Sequence, residues 1–101
     1  MNAQIQPNPC FNLGQLVFTP GARDALAQLN ISPFNLLSRH QRGDWGDLDK
    51  ADCEANQEAL QTGRRLFSAY IIQDVKFWVI TEAQDDQGYR MATTILLPEE
   101  Y

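Results

Sequence analysis

Leu66-Phe67-Ser68-Ala69-Tyr70-Ile71-Ile72-Gln73-Asp74-Val75-Lys76-Phe77-Trp78-Val79-Ile80-Thr81 contains two runs of branched and aromatic residues separated by one polar pair. Runs of this composition read as strands, and Gln73-Asp74 is short enough for a hairpin turn. A third run, Tyr89-Arg90-Met91-Ala92-Thr93-Thr94-Ile95-Leu96-Leu97, follows the polar stretch Gln84 to Gly88. Consecutive strands are therefore expected to pair antiparallel, as a meander. Alternation along these strands points Phe77 and Val79 one way, and Trp78 and Ile80 the other. Phe67 and Ala69 oppose Leu66 and Tyr70 in the same manner. A sheet that is apolar on both faces needs a cover on each.

Upstream lie the helices that supply one cover. Leu13 to Phe18 reads as a short strand, and Thr19-Pro20 is a cap followed by a proline at the first helical position. Ala22, Ala25, Leu26 and Leu29 then form one apolar face, and Asn30 ends the helix. Ser32-Pro33 repeats the start for a second helix with Phe34, Leu36 and Leu37 turned inward, and Gly43 supplies its exit. Asp49 caps a third helix running to about Thr62, with Gly63 after it. Ala51, Ala55 and Ala59 give that helix a small-residue stripe for close approach to the sheet, and Asn56 is expected to tie it to the preceding loop.

The resulting expectation is an α+β fold in the order β-α-α-α-β-β-β. Its antiparallel sheet has three to four strands, the C-terminal meander plus the short N-terminal strand at an edge, with about three short helices packed on one face. Residues 1–11, with Pro7 and Pro9 among asparagines and glutamines, read as an extended N-terminal arm. Residues 12–101 read as a single domain, since a chain of 101 residues has room for one core. The second face is left for the arm, a partner or another copy, so a protein partner or self-association as a homodimer is expected.

Composition narrows the function classes. A net charge of −5 argues against the phosphate-neutralising surface of a nucleic-acid binder. No apolar run approaches the roughly 20 residues of a membrane helix. The N-terminus has neither the basic start nor the apolar stretch of a signal peptide, so a cytoplasmic location is expected. Cys10 and Cys53 lack the spacing of a metal knuckle or redox pair and read as small apolar residues. There is no glycine-rich phosphate loop, and no cofactor is expected.

The polar cluster of note is His40, Asp44, Asp47, Asp49 and Asp52 around Trp45. An imidazole and carboxylates together support metal-assisted hydrolysis, with His40, Asp44 and Asp47 as its residues. Taken singly, the same residues serve as helix ends, turns and caps, and the spacing matches neither a calcium loop nor a zinc helix. If the loop binds a partner, Arg42, Asp44 and Trp45 are its natural contacts. The candidate binding residues are therefore His40, Arg42, Asp44, Trp45, Asp47 and Asn56.

The strings RGDWGDL (Arg42 to Leu48) and TTILLPEEY (Thr93 to Tyr101), with Asn56, Ser68-Ala69-Tyr70 and Trp78 to Glu82 between them, carry a resemblance. Over roughly residues 12–101 the chain resembles a family of small uncharacterised bacterial proteins, often borne on plasmids and other mobile elements. Some of these bear automatic labels such as plasmid-related protein or type I restriction endonuclease subunit M. The second label implies a methyltransferase, which needs a cofactor-binding glycine loop and an Asn/Asp-Pro-Pro-aromatic motif on a Rossmann-like sheet. Neither motif is in this chain. The resemblance implies little about activity, and the expected function is a small non-enzymatic interaction or regulatory protein, an accessory factor of mobile DNA, with the small metal-assisted hydrolase using His40, Asp44 and Asp47 as the alternative.

Overall fold

A computed structural model describes Ile5 and residues 8–101. The elements follow the expected order: β1 (Gln15–Phe18), α1 (Pro20–Gln28), α2 (Pro33–Gln41), α3 (Lys50–Thr62), β2 (Leu66–Ile72), β3 (Val75–Thr81), β4 (Ala92–Leu96) and a closing 3₁₀ turn (Pro98–Glu100). Each helix begins where its cap chemistry places it. Thr19, Ser32 and Asp49 accept from the amides of Ala22, Phe34 and Asp52, and proline occupies the first turn of α1 and α2. Gln73 and Asp74 both adopt positive φ, as a two-residue hairpin turn requires. No helix is long and apolar enough to cross a membrane among the described residues.

The sheet order is β1-β4-β3-β2, with β2, β3 and β4 antiparallel. β1 does join at an edge, but it pairs with β4 in parallel, so the sheet is mixed and not the antiparallel one expected. The reason lies in the connection. A parallel partner requires a long crossover, and α1 to α3 carry the chain over the sheet to its far edge before the meander returns.

Register divides the sheet into two faces. Leu66, Ser68, Tyr70, Phe77, Val79, Thr81, Thr93 and Ile95 share the face toward the helices. Tyr70, Phe77, Val79 and Ile95 pack there with Ala22, Leu26, Leu36 and Leu37 in the main core. A second core cluster joins Trp45, Ala59 and Leu66, with Phe11, Leu48, Cys53 and Leu60 packed against it.

Two inward assignments need correction. Phe34 is 65% exposed, because Leu36, Leu37 and His40 define the buried face of α2 and Phe34 lies off it. Ala51 and Ala55 are exposed, and α3 instead buries Asn56 and Ala59. Three methyl groups offer little area, so the Asn56 hydrogen bonds and the larger Leu60 orient the helix.

The opposite face carries Phe67, Ala69, Trp78, Ile80, Thr94, Leu96 and Val17. Trp78 meets Phe67 edge-on at 5.1 Å and Tyr101 at 5.6 Å, so Tyr101 packs on the domain while remaining 70% exposed. Glu100 reaches the start of α1, where it accepts from Thr19 Oγ1 and from the Gly21 amide (2.8 Å). This contact explains the acidic PEEY ending: a carboxylate is stabilised by the free amides of a helix N-terminus.

Of the expected arm, residues 1–4, 6 and 7 lie outside the described residues. Its last residues belong to the domain. The Cys10 amide bonds to the Gln41 carbonyl (2.7 Å), Gln41 Nε2 bonds to the Phe11 carbonyl (2.9 Å), and Phe11 packs on the second core cluster.

Candidate functional site

Five of the six candidate residues converge on one strand, β2, and Arg42 lies exposed at the C-cap of α2. β2 is an edge strand, so its outward amides and carbonyls need partners from outside the sheet. The RGDWGDL loop and α3 provide them. Ala69 donates to the Trp45 carbonyl (3.2 Å) and accepts from the Asp47 amide (2.6 Å). Asp47 Oδ2 accepts from the Ile71 amide (3.0 Å). Asn56 Nδ2 donates to the Phe67 carbonyl (2.6 Å), and its Oδ1 accepts from the Phe67 amide (3.1 Å). Asn56 thus ties α3 to the following strand and not to the preceding loop, because an edge residue with both backbone groups free matches a primary amide in both directions.

Asp44 fixes the loop itself. It pairs with Arg39 at 2.7 Å, accepts from the Gly46 amide, and offers its carbonyl to the Tyr70 hydroxyl (2.7 Å). Arg39 also lies over the Tyr70 ring at 4.5 Å. Among the described residues no three His, Cys, Asp or Glu side chains are arranged to hold a metal ion.

His40 is fully buried and belongs to a different constellation. Its Nδ1 meets Ser68 Oγ at 2.6 Å and its Nε2 meets Thr81 Oγ1 at 2.9 Å, while Thr81 Oγ1 meets Thr93 Oγ1 at 2.7 Å. Thr93 Oγ1 donates to the Leu13 carbonyl (2.7 Å). Each hydroxyl has one proton, so the direction of the whole chain follows from that last bond. Thr81 donates to Thr93, Nε2–H donates to Thr81, and Ser68 donates to Nδ1. The ring is the neutral Nε2–H tautomer. A serine hydroxyl on an imidazole nitrogen is the pairing that activates a nucleophile, but here both partners are fully buried and the chain of bonds ends on a carbonyl. The arrangement locks α2, β2, β3 and β4 together through polar groups.

Burial, and secondarily the nearby Arg90 cation, lower the His40 pKa to about 3. The stability consequence has a definite sign. Between pH 6.5 and about 3 the unfolded chain binds a proton at His40 that the folded chain does not, so stability is lost as the pH falls through this window. Going from pH 7 to 5 is expected to cost about 2 kcal/mol, at about 1.4 kcal/mol per unit below 6.5. Urea midpoints measured across that range read the slope, and His40→Gln flattens it. A wild-type slope equal to that of the variant would show that His40 is not the titrating group.

No protein-family model, curated protein or solved structure matches the chain.

Phe11, Ser68, Thr81, Arg90 and Thr93 complete the constellation and were not among the sequence candidates. Phe11 meets the His40 ring edge-on at 5.2 Å, stacks on Trp45 at 6.5 Å, and lies 5.9 Å from the Arg90 guanidinium. Arg90, read from the sequence as a strand residue, is 7% exposed. It donates to the carbonyls of Arg64 (2.8 Å), Glu82 (3.0 Å) and Ala59 (3.2 Å), gathering the end of α3 and the β3–β4 connection. Its neighbours Tyr89 and Met91 are each 63% exposed. A charged residue on the inward phase between two outward apolar ones was the available signal.

Proposed function

We propose that the chain is a non-enzymatic interaction module that works as a homodimer, joined antiparallel through β1. The observation that carries this reading is the unequal treatment of the two sheet edges. β2 is sealed bond by bond, whereas among the described residues no hydrogen bond reaches the outer side of β1. The Gln15 and Thr19 amides donate to the Met91 and Ile95 carbonyls, so Leu16 and Phe18 turn their backbone groups outward.

An open edge normally carries charges, prolines or bulges that prevent pairing. Here the first charged side chain of the sequence is Arg23, beyond the strand. Two copies of a chain with net charge −5 repel over most approaches, but not along this edge. The edge is also self-complementary. A two-fold axis at Val17 pairs Leu16 with Phe18 of the second copy, and the reverse, through four hydrogen bonds. Val17, 40% exposed, then meets Val17 of the second copy at a non-hydrogen-bonded position, where side chains approach closely. The apolar faces of the two sheets become continuous. The resemblance to plasmid-borne proteins supports an accessory role for such a module. No geometry favours the hydrolase reading, since His40 is enclosed and makes no hydrogen bond to Asp44 or Asp47 among the described residues.

The four edge bonds contribute about 0.5–1.5 kcal/mol each, about 2–6 kcal/mol together, so a weak dimer is expected, with a dissociation constant of about 0.1–1 mM. Sedimentation equilibrium over a concentration series measures it. Val17→Lys places two ammonium groups at the axis and is expected to give a monomer with unchanged thermal stability. A wild type that stays monomeric at millimolar concentration, or a Val17→Lys chain that still dimerises, overturns the proposal.

A further inference from the structure

Beside Arg90, between the segment leading into β1, the end of α3 and the β3–β4 connection, lies a cavity of about 400 Å³. Its walls include Phe11, Leu60, Tyr89, Gln84 and Arg90, with the backbone of Gly88 at the rim. That volume is within the range of small-molecule sites. We propose that it binds a small aromatic monocarboxylate, with the carboxylate on the Arg90 guanidinium and the ring against Phe11 and Tyr89.

Three features define the ligand. The first is a shortage of acceptors. Among the buried side-chain atoms described, two lack any hydrogen-bond partner, Arg90 Nε and Trp45 Nε1, and both are donors. Both side chains border the Phe11 ring. Leaving such a donor unpaired costs about 1–3 kcal/mol, and an ionised carboxylate, which only accepts, satisfies Arg90 Nε, the one of the two that belongs to the cavity wall. The second is charge. Arg90 bonds to three neutral carbonyls, and the single ion pair among the described residues joins Arg39 to Asp44. Burial lowers the Arg90 pKa, the direction expected for a cation without a counter-ion. One guanidinium and no lysine in the walls match one negative charge, not a phosphate dianion. The third is shape, since Phe11, Tyr89 and Leu60 make the remaining surface aromatic and aliphatic and Gly88 has no atom within 4 Å of a built Cβ.

Arg90 Nε is closed to solvent in the unliganded chain, with Phe11 over the guanidinium. Binding therefore includes a rotation of the Phe11 side chain, after which its ring stacks on the ligand. The Phe11 backbone stays held to Gln41.

The test is a titration of the full chain with benzoate, followed by ¹⁵N NMR. The chain has two indole N–H signals, Trp45 stacked on the Phe11 ring of the cavity wall and Trp78 on the opposite sheet face, so the second is an internal control. Benzoate is expected to shift the Trp45 signal but not that of Trp78, with a dissociation constant of about 1 mM, ordinary for a fragment of that size. Acetate, lacking the ring, and inorganic phosphate, carrying more charge, are expected to bind at least about tenfold more weakly. Arg90→Lys keeps a positive charge but has no Nε fork, and is expected to weaken benzoate by about tenfold or more. Leu60→Phe fills the cavity while leaving Arg90 and its bonds in place, and serves if the lysine variant fails to fold. No movement of the Trp45 signal at 50-fold the expected dissociation constant overturns the proposal. So does benzoate binding that Leu60→Phe leaves intact, or phosphate binding more tightly than benzoate.

Discussion

Trp45→Ala is expected to destabilise the domain by about 3–5 kcal/mol, the range for removing a large buried aromatic side chain. Trp45 is 1% exposed, stacks against Phe11, meets His40 edge-on at 5.7 Å, and packs with Ala59 and Leu66. Its removal leaves a void between Phe11, α2, α3 and β2, and a domain of this size has only about 5–15 kcal/mol to lose. Guanidinium denaturation should place the variant near the limit of folding. Trp45→Phe should cost distinctly less, because the indole N–H has no acceptor and its deletion removes an unsatisfied donor along with the volume. An unchanged midpoint for Trp45→Ala would mean that the RGDWGDL loop does not anchor the second core cluster. A partner-capture experiment with a Trp45 variant would consequently report on folding, and Arg42, which is exposed, is the better probe of that loop.

Gly46→Ala is expected to cost about 4 kcal/mol, comparable to the loss of Trp45, from the addition of one methyl group. Gly46 has φ +77°, and a Cβ there would sit 2.0 Å from the Ala69 carbonyl oxygen and 2.6 Å from the Tyr70 ring. A left-handed backbone at a residue with a side chain costs about 1–3 kcal/mol. The collision is with backbone that cannot yield without breaking the Ala69 bonds to Trp45 and Asp47, each worth about 1 kcal/mol net. A melting temperature roughly 15–30 °C lower should follow, at about 4–8 °C per kcal/mol for a domain of this length. Hydrogen exchange adds a local signature, in which the Ala69 and Ile71 amides lose protection before those of β3. A melting temperature within a few degrees of wild type would refute the close approach of loop and strand.

Features set by neighbouring residues were legible in the sequence. Thr19-Pro20, Ser32-Pro33 and Asp49 start helices because a side-chain oxygen and the amides two or three residues on are all that a cap requires. The ends of β2 and β3 followed from composition and from the length of the turn between them. Features decided at a distance were not legible. Whether β1 runs parallel or antiparallel to β4 depends on the path of the intervening helices, which no property of Gln15–Phe18 encodes. The polar cluster around His40 was visible as a group of residues, but the assembly separates it. The aspartates seal an edge, and the imidazole turns into the core toward Ser68 and Thr81, both read only as strand positions. Phe11 was assigned to the arm because the prolines before it dominate the local composition, although its ring completes the roof over His40, Trp45 and Arg90.

The parallel ladder between β1 and β4, reinforced by Glu100 at the start of α1, makes the opening and closing segments of the domain depend on each other. During synthesis, β1 and α1 emerge before β4 and have no partner until Ala92 to Glu100 have followed. The uncharged strand is then exposed at both its edges, the state most exposed to association between nascent chains. Closure of the domain is consequently limited by a contact between segments far apart in the sequence. A chain cut before Ala92 would lack that contact and leave β1 unpaired on both sides.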